Sequence, residues 1–145
     1  MTKPERVTLF IQCIVDSCFP DVAEAMVRVL ERQGLDLIYP PDQTCCGQPA
    51  FNAGYRREAA KLAAHFLDVF ENADCIVCPS GSCVNMVREH YRELFAREPR
   101  QLARAERVAA KTFEFSEFLV DGLGVTDVGA TWNGQVTYHE SCHLL

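Results

Sequence analysis

Short runs of β-forming residues alternate with longer amphipathic stretches, and this alternation limits the possible folds more than any other feature. The β-rich runs lie at 7–11, 35–40 and 74–79. The helical stretches lie at 20–34, 55–73 and 82–98. Strands that alternate with helices of this length form βαβ units, whose right-handed crossovers give a parallel sheet with helices on both faces. The sequence therefore predicts an α/β fold, a Rossmann-like module of three layers.

Apolar residues recur at helical spacing in these stretches, which identifies the faces expected to pack on the sheet. In the first helix these residues are Val22, Met26, Val29 and Leu30. In the second helix they are Ala59, Leu62, Ala63, Phe66, Val69 and Phe70. A shorter helix is predicted within 113–124, and its core-facing residues are Phe115, Phe118 and Leu119.

The last residues predict the beginning of a second, incomplete module. An Asn133-Gly134 turn precedes a predicted strand at 135–138, and a Cys-His pair follows. The segments "VTLFIQC" and "QVTYHESC" both read as a strand that runs into a cysteine. We therefore expect one domain over 1–130 and the start of a second copy over 131–145.

Length and charge exclude several classes of function. A chain of 145 residues is long enough to bury the core of one domain. Its net charge of −6 argues against non-specific nucleic-acid binding, which requires a basic face. No run approaches the roughly 20 apolar residues of a membrane span, and the first residues do not resemble a signal peptide. We therefore expect a soluble cytoplasmic protein.

Eight cysteines are far more than a chain of this size normally carries. Without an export signal, metal or redox chemistry is a better interpretation than a disulfide framework. Cys13, the adjacent pair Cys45 and Cys46, and the pair Cys78 and Cys83 each follow a predicted strand. Because sites in parallel sheets collect at the carboxyl ends of the strands, we expect these thiols to converge at one edge.

Several thiolates without a neighbouring histidine fit an iron–sulfur cluster or zinc. Zinc ranks second because only Cys75 and Cys78 have the spacing of a zinc knuckle. A dithiol redox centre ranks third. Taken singly, Cys75 and Cys18 are expected to be buried packing residues, since free cysteine is often buried.

The four histidines are weaker candidates. His139 and His143 flank Cys142, so a zinc site of mixed ligands is an open alternative there. His65 and His90 lie within predicted helices and are expected to be surface or hydrogen-bonded residues.

Four ordered segments resemble the CCG cysteine-rich domain family: "FIQCIVDSCFP", "CCGQPAFNAGY", "CPSGSCVNMV" and "YHESCHLL". The family has a C…CCG…CxxC arrangement, usually present twice per chain. It includes the cysteine-rich subunit of heterodisulfide reductase and the iron–sulfur subunit of glycolate oxidase, and the segments are most similar to its lactate-utilisation members. The resemblance implies that Cys13, Cys45, Cys46 and Cys83 bind an iron–sulfur cluster, with the [4Fe–4S] type expected.

The resemblance also implies that Cys142 is the first ligand of the second module. One departure concerns the CxxC element, where this chain has Ser80-Gly81-Ser82-Cys83 and Cys78 as the candidate fifth ligand. The implied function is that of an electron-transfer subunit in an oxidoreductase complex that converts L-lactate to pyruvate. Its implied partners are the other lactate-utilisation subunits, one of them an iron–sulfur protein. The alternatives are a disulfide-reducing subunit like that of heterodisulfide reductase and a zinc-stabilised interaction module.

Overall fold

A single parallel sheet organises the fold. A computed structural model describes residues 4–137 and contains the strands β1 (Arg6–Leu9), β2 (Asp36–Ile38), β3 (Ile76–Cys78) and β4 (Thr112–Glu114). Their order is β2-β1-β3-β4, and every neighbouring pair is parallel. The predicted α/β fold is confirmed.

Helices connect the strands and cover both faces of the sheet. The α-helices are α1 (Cys13–Cys18), α2 (Pro20–Arg32), α3 (Gln48–Asn52), α4 (Arg56–Phe70), α5 (Gly81–Asn85), α6 (Tyr91–Leu94), α7 (Pro99–Ala109) and α8 (Phe115–Glu117). Two π-helical segments, Met86–His90 and Phe118–Gly122, continue α5 and α8 respectively. None of the helices in residues 4–137 is both long and apolar enough to cross a bilayer.

The core has two halves, one on each face of the sheet. Val7 and Leu9 of β1 belong to one half, with α2 and Phe118, whereas Phe10 belongs to the other. That other half is built mainly from α4 and the helical run 81–94. Side chains of extended chain alternate between the two faces, so β1 and the residue that follows it supply both halves. This arrangement is the three-layer module that the sequence predicts.

The first turn of α2 differs from its prediction. Met26 and Leu30 are buried, but Val22 is 45% exposed. The face of α2 that packs on the sheet consists of Ala23, Met26, Val27 and Leu30, which recur at helical spacing. Val22 lies beside this face rather than on it, so its side chain remains in contact with solvent.

The region after β3 also departs from the sequence-based expectations. Helix α7 and strand β4 form there, although neither was predicted. The helix over 115–122 was predicted, and Phe118 is buried in it as expected. Residues 135–137 are exposed and form no strand, so that part of the prediction is wrong. The rest of the predicted start of a second module, residues 138–145, lies outside the described part of the chain.

Candidate functional site

The carboxyl ends of β1 and β3 lie side by side at the centre of the sheet. In the order β2-β1-β3-β4, the connection from β1 leads to one side of the sheet and the connection from β3 leads to the other side. Ligands of open α/β sheets bind in the crevice outside such a switch point. Cys13 is the first residue of α1, which follows β1, and Cys78 is the last residue of β3. Cys83 lies in the first turn of α5, so these thiols border the crevice from both sides.

The adjacent cysteines approach the crevice in a loop between β2 and α3. Gly47 ends this loop with a φ of +88°, in the left-handed region that suits glycine. A Cβ atom added at Gly47 would lie 3.3 Å from the carbonyl oxygen of Ala59 in α4. Glycine therefore serves two purposes, because it turns the chain into α3 and allows the loop to pack closely on α4.

Five thiols form a continuous series of neighbours at this edge. The Sγ atoms of Cys46 and Cys83 are 3.4 Å apart. The thiols of Cys13 and Cys46 both shift the pKa of Cys45, and the Cys78 thiol shifts that of Cys83, so these side chains are also neighbours. The structure thus brings together Cys13, Cys45, Cys46, Cys78 and Cys83 from three separate connections of the sheet.

The thiols differ in their access to solvent. Cys46, Cys78 and Cys83 are buried, Cys45 is half-buried and Cys13 is exposed. The series therefore runs from the protein interior to the surface, and Cys13 forms its outer end.

Hydrogen bonds between the thiols favour thiolates at two positions. The pKa of Cys83 is lowered by hydrogen bonds from the thiols of Cys46 and Cys78. The pKa of Cys45 is lowered to about 6, chiefly by the Cys46 thiol and also by the N–H of Gly47, 3.4 Å from its Sγ. The pKa of Cys46 is raised by its interactions with the Cys45 and Cys83 thiols and by its burial. Cys45 and Cys83 therefore favour the thiolate, which is the nucleophilic and metal-binding form of cysteine.

Side-chain amides tie the loop of Cys45 and Cys46 to the two other connections. The carboxamide of Gln43 accepts from the Ile11 N–H at 2.7 Å and donates to the Leu9 carbonyl at 3.2 Å, just before Cys13. The Gln48 amide donates to the Ser82 carbonyl at 3.1 Å, next to Cys83. The positions of the thiols therefore depend on hydrogen bonds as well as on sulfur contacts.

The donor set is composed of thiols alone. Among residues 4–137, no three or more His, Cys, Asp or Glu side chains converge closely enough to hold a single metal ion. Each cysteine of a [4Fe–4S] cluster binds a different iron, so such a cluster needs neighbouring thiols rather than one point of convergence. A series of adjacent thiols, two of them favouring the thiolate, fits that requirement.

The remaining candidates lie elsewhere. Cys75 is 2% exposed in the half of the core that contains α2, as expected for a packing residue. Cys18 is exposed at the end of the six-residue α1, so its expected burial is wrong. His65 contacts the Asp42 carbonyl and His90 contacts Glu93, as expected for hydrogen-bonded residues. The remaining candidates, Cys142 and its two flanking histidines, fall outside the described residues.

Sequence reasoning did not identify two polar residues that border the thiols. Gln12 is 1% exposed, and its Oε1 lies 3.7 Å from the Cys78 Sγ. Tyr91 is fully buried, and its hydroxyl donates to the Cys46 carbonyl at 2.9 Å. The only sequence signal for Gln12 is a polar residue at the end of an apolar run, and Tyr91 gives none.

Comparison with known proteins places these features in a family. The model of the CCG cysteine-rich domain matches residues 7–88, a range that contains all five of the neighbouring thiols. A protein of an Exiguobacterium species named Lactate utilization protein A is 51% identical over 141 residues, covering 96% of this chain and 57% of that protein. The protein of the same name from Bacillus pumilus is 48% identical over 139 residues, covering 96% of this chain and 58% of its own.

The chain thus spans somewhat more than half the length of these relatives. No solved structure matches it. The family model covers more than half of the chain and includes the adjacent cysteines with their glycine. The chain belongs to the CCG cysteine-rich domain family.

Proposed function

We propose that this chain is an iron–sulfur electron-transfer subunit of a system that oxidises a 2-hydroxy acid, specifically L-lactate to pyruvate. The observation that carries the proposal is the series of five neighbouring thiols at the carboxyl ends of β1 and β3. The names of the relatives, Lactate utilization protein A, supply the substrate. The proposed ligands are Cys13, Cys45, Cys46 and Cys83, with Cys78 as a fifth.

Oxidation of a 2-hydroxy acid to a 2-oxo acid releases two electrons and two protons, which a partner must take up. A bound [4Fe–4S] cluster would supply a one-electron relay. The buried Cys46, Cys78 and Cys83 would shield this relay from water, and the exposed Cys13 would bring one edge of it to the surface. A cytoplasmic location, and partner subunits that include a second iron–sulfur protein, belong to the same proposal. So does a second module that begins near 131 and uses Cys142.

Anaerobic reconstitution with iron and sulfide tests the proposal. We expect stoichiometric iron and sulfide and an EPR signal after reduction. Cys45→Ser and Cys46→Ser should abolish binding, because each removes a central member of the thiol series. Cys75→Ser is the matched control and should bind normally, since Cys75 lies in the other half of the core. Equal loss in all three variants, or zinc bound without sulfide, would refute the proposal.

A thiol–disulfide role is the second candidate, and the 3.4 Å contact between the Cys46 and Cys83 sulfurs favours it. In that case Cys46 and Cys83 would form a disulfide with each other, and their two electrons and two protons would convert a small disulfide into two released thiols. Consumption of a small disulfide by the metal-free reduced chain, lost in Cys83→Ser, would support this role over electron transfer.

A further inference from the structure

The helical run that carries Cys83 contains a π turn with a structural consequence. Helix α5 ends at Asn85, the π-helical segment Met86–His90 follows, and α6 begins at Tyr91. The N–H of Tyr91 donates to the carbonyl of Met86, the i→i+5 bond of a π turn. Two turns of a regular α-helix span about seven residues, and the wider π turn extends this to about eight. Cys83 and Tyr91 are eight residues apart, so the π turn brings them to the same face of the helix.

Residues on this shared face contact Cys46 through both its thiol and its carbonyl. The Cys46 Sγ contacts the Cys83 Sγ at 3.4 Å, and the Cys46 carbonyl accepts from the Tyr91 hydroxyl at 2.9 Å. In a regular α-helix, residue 91 would lie about 80° around the axis from residue 83. The hydroxyl would then point away from the loop, and a buried carbonyl would lose its donor.

The surroundings of Tyr91 leave its hydroxyl in one position. The residue is fully buried, and its ring packs edge-to-face against Phe66 at 5.6 Å between ring centroids and against Phe95 at 6.5 Å. A tyrosine hydroxyl keeps its proton at neutral pH, so it can donate to the Cys46 carbonyl that lies 2.9 Å away. A rigid donor is therefore aimed at the peptide group between Cys46 and Gly47.

We propose that Tyr91 is a positioning residue: its hydroxyl, placed by the π turn, fixes the Cys46 peptide so that the Cys46 thiol meets that of Cys83. Tyr91 acts through Cys46 and does not itself bind the group held by the thiols. This inference rests on the proposed function for its consequence, but the positioning of the Cys46 thiol can be measured without any cluster.

Tyr91→Phe in the full chain tests the inference, because it removes the hydroxyl and keeps the ring. Tyr55→Phe is the matched control, since Tyr55 is 63% exposed. In the metal-free reduced chain, we expect alkylation of Cys46 by iodoacetamide, mapped by mass spectrometry, to be about fivefold faster in Tyr91→Phe. This is the factor that corresponds to the loss of one internal hydrogen bond. Alkylation of Cys75 should be unchanged in both variants.

After reconstitution, we expect an altered EPR line shape and a shifted reduction potential in Tyr91→Phe, with normal values in Tyr55→Phe. Para-aminophenylalanine at position 91 restores an N–H donor and should restore both the slow alkylation and the normal spectrum. It also provides the test if Tyr91→Phe does not fold. Unchanged Cys46 alkylation in folded Tyr91→Phe, or no restoration by the amino variant, would overturn the inference. Absence of iron in the unmodified chain would instead refute the proposed function and leave the alkylation result to decide the role of Tyr91.

Discussion

Replacing Gln43 by alanine should loosen the connection between the sheet and the cysteine loop. The backbone N–H groups of Thr8, in β1, and of Phe10, just after β1, donate to carbonyls on the β3 side. The backbone N–H and C=O groups of Leu9 and Ile11 therefore point to the opposite side, toward β2. Strand β2 pairs with β1 only as far as Thr8 and Ile38. Beyond that point the Gln43 carboxamide takes the place of a strand, bonding to the Leu9 carbonyl and the Ile11 N–H.

The magnitude follows from the hydrogen bonds that are lost. Gln43 makes three, to Ile11 N, Leu9 O and Pro40 O, at 2.7, 3.2 and 3.0 Å. Each is worth about 1 kcal/mol, but Gln43 is only half-buried, so water can replace part of the loss. We expect Gln43→Ala to lower the free energy of unfolding of the reduced, metal-free chain by about 2 kcal/mol. With a urea m-value of about 2 kcal/mol/M, the midpoint should fall by about 1 M.

Urea unfolding followed by circular dichroism measures this shift. Gln135→Ala is the matched control, because Gln135 is exposed in a segment without regular structure. It should change the free energy of unfolding by less than about 0.5 kcal/mol. If Gln43→Ala is as mild as the control, the carboxamide does not extend the sheet, and the reasoning about loop placement is wrong.

Two further predictions concern Gly47 and Cys75. Gly47→Ala should destabilise the chain by about 1 kcal/mol more than Gly54→Ala. Both glycines have a φ near +85°, but only Gly47 packs against a carbonyl, that of Ala59. Equal losses of stability in thermal unfolding would contradict this prediction. Burial raises the pKa of Cys75 from 9.0 to about 12, so the stability that its protonated thiol contributes is complete below pH 9 and is lost as the pH rises through 12. In Cys75→Ala the fall in stability between pH 9 and 10.5 should be shallower by about 1 kcal/mol per pH unit, and parallel pH profiles would show that this thiol does not titrate as described.

Local sequence patterns predicted the layers of the fold well. The periodicity of 55–73 identified α4, and Phe66 and Phe70 pack where the pattern places them. Helix α7 was missed, although it is strongly amphipathic, because its apolar face is made largely of small alanines. Strand β4 has only three residues, and it forms because the edge of β3 offers a partner. Residues 135–137 have strand-like composition but no such partner in the described part of the chain, and they form no strand.

The sequence by itself determined that strands and helices alternate and that cysteines follow the strands. From these two facts alone, parallel topology brings the thiols to one edge, because all carboxyl ends of a parallel sheet point the same way. The tertiary structure decided which groups hold the thiols in place. The contacts of Gln43 with the end of β1 and of Tyr91 with Cys46 join residues 34 and 45 positions apart. Such contacts depend on the path of loops and on one π turn, and no local periodicity encodes either.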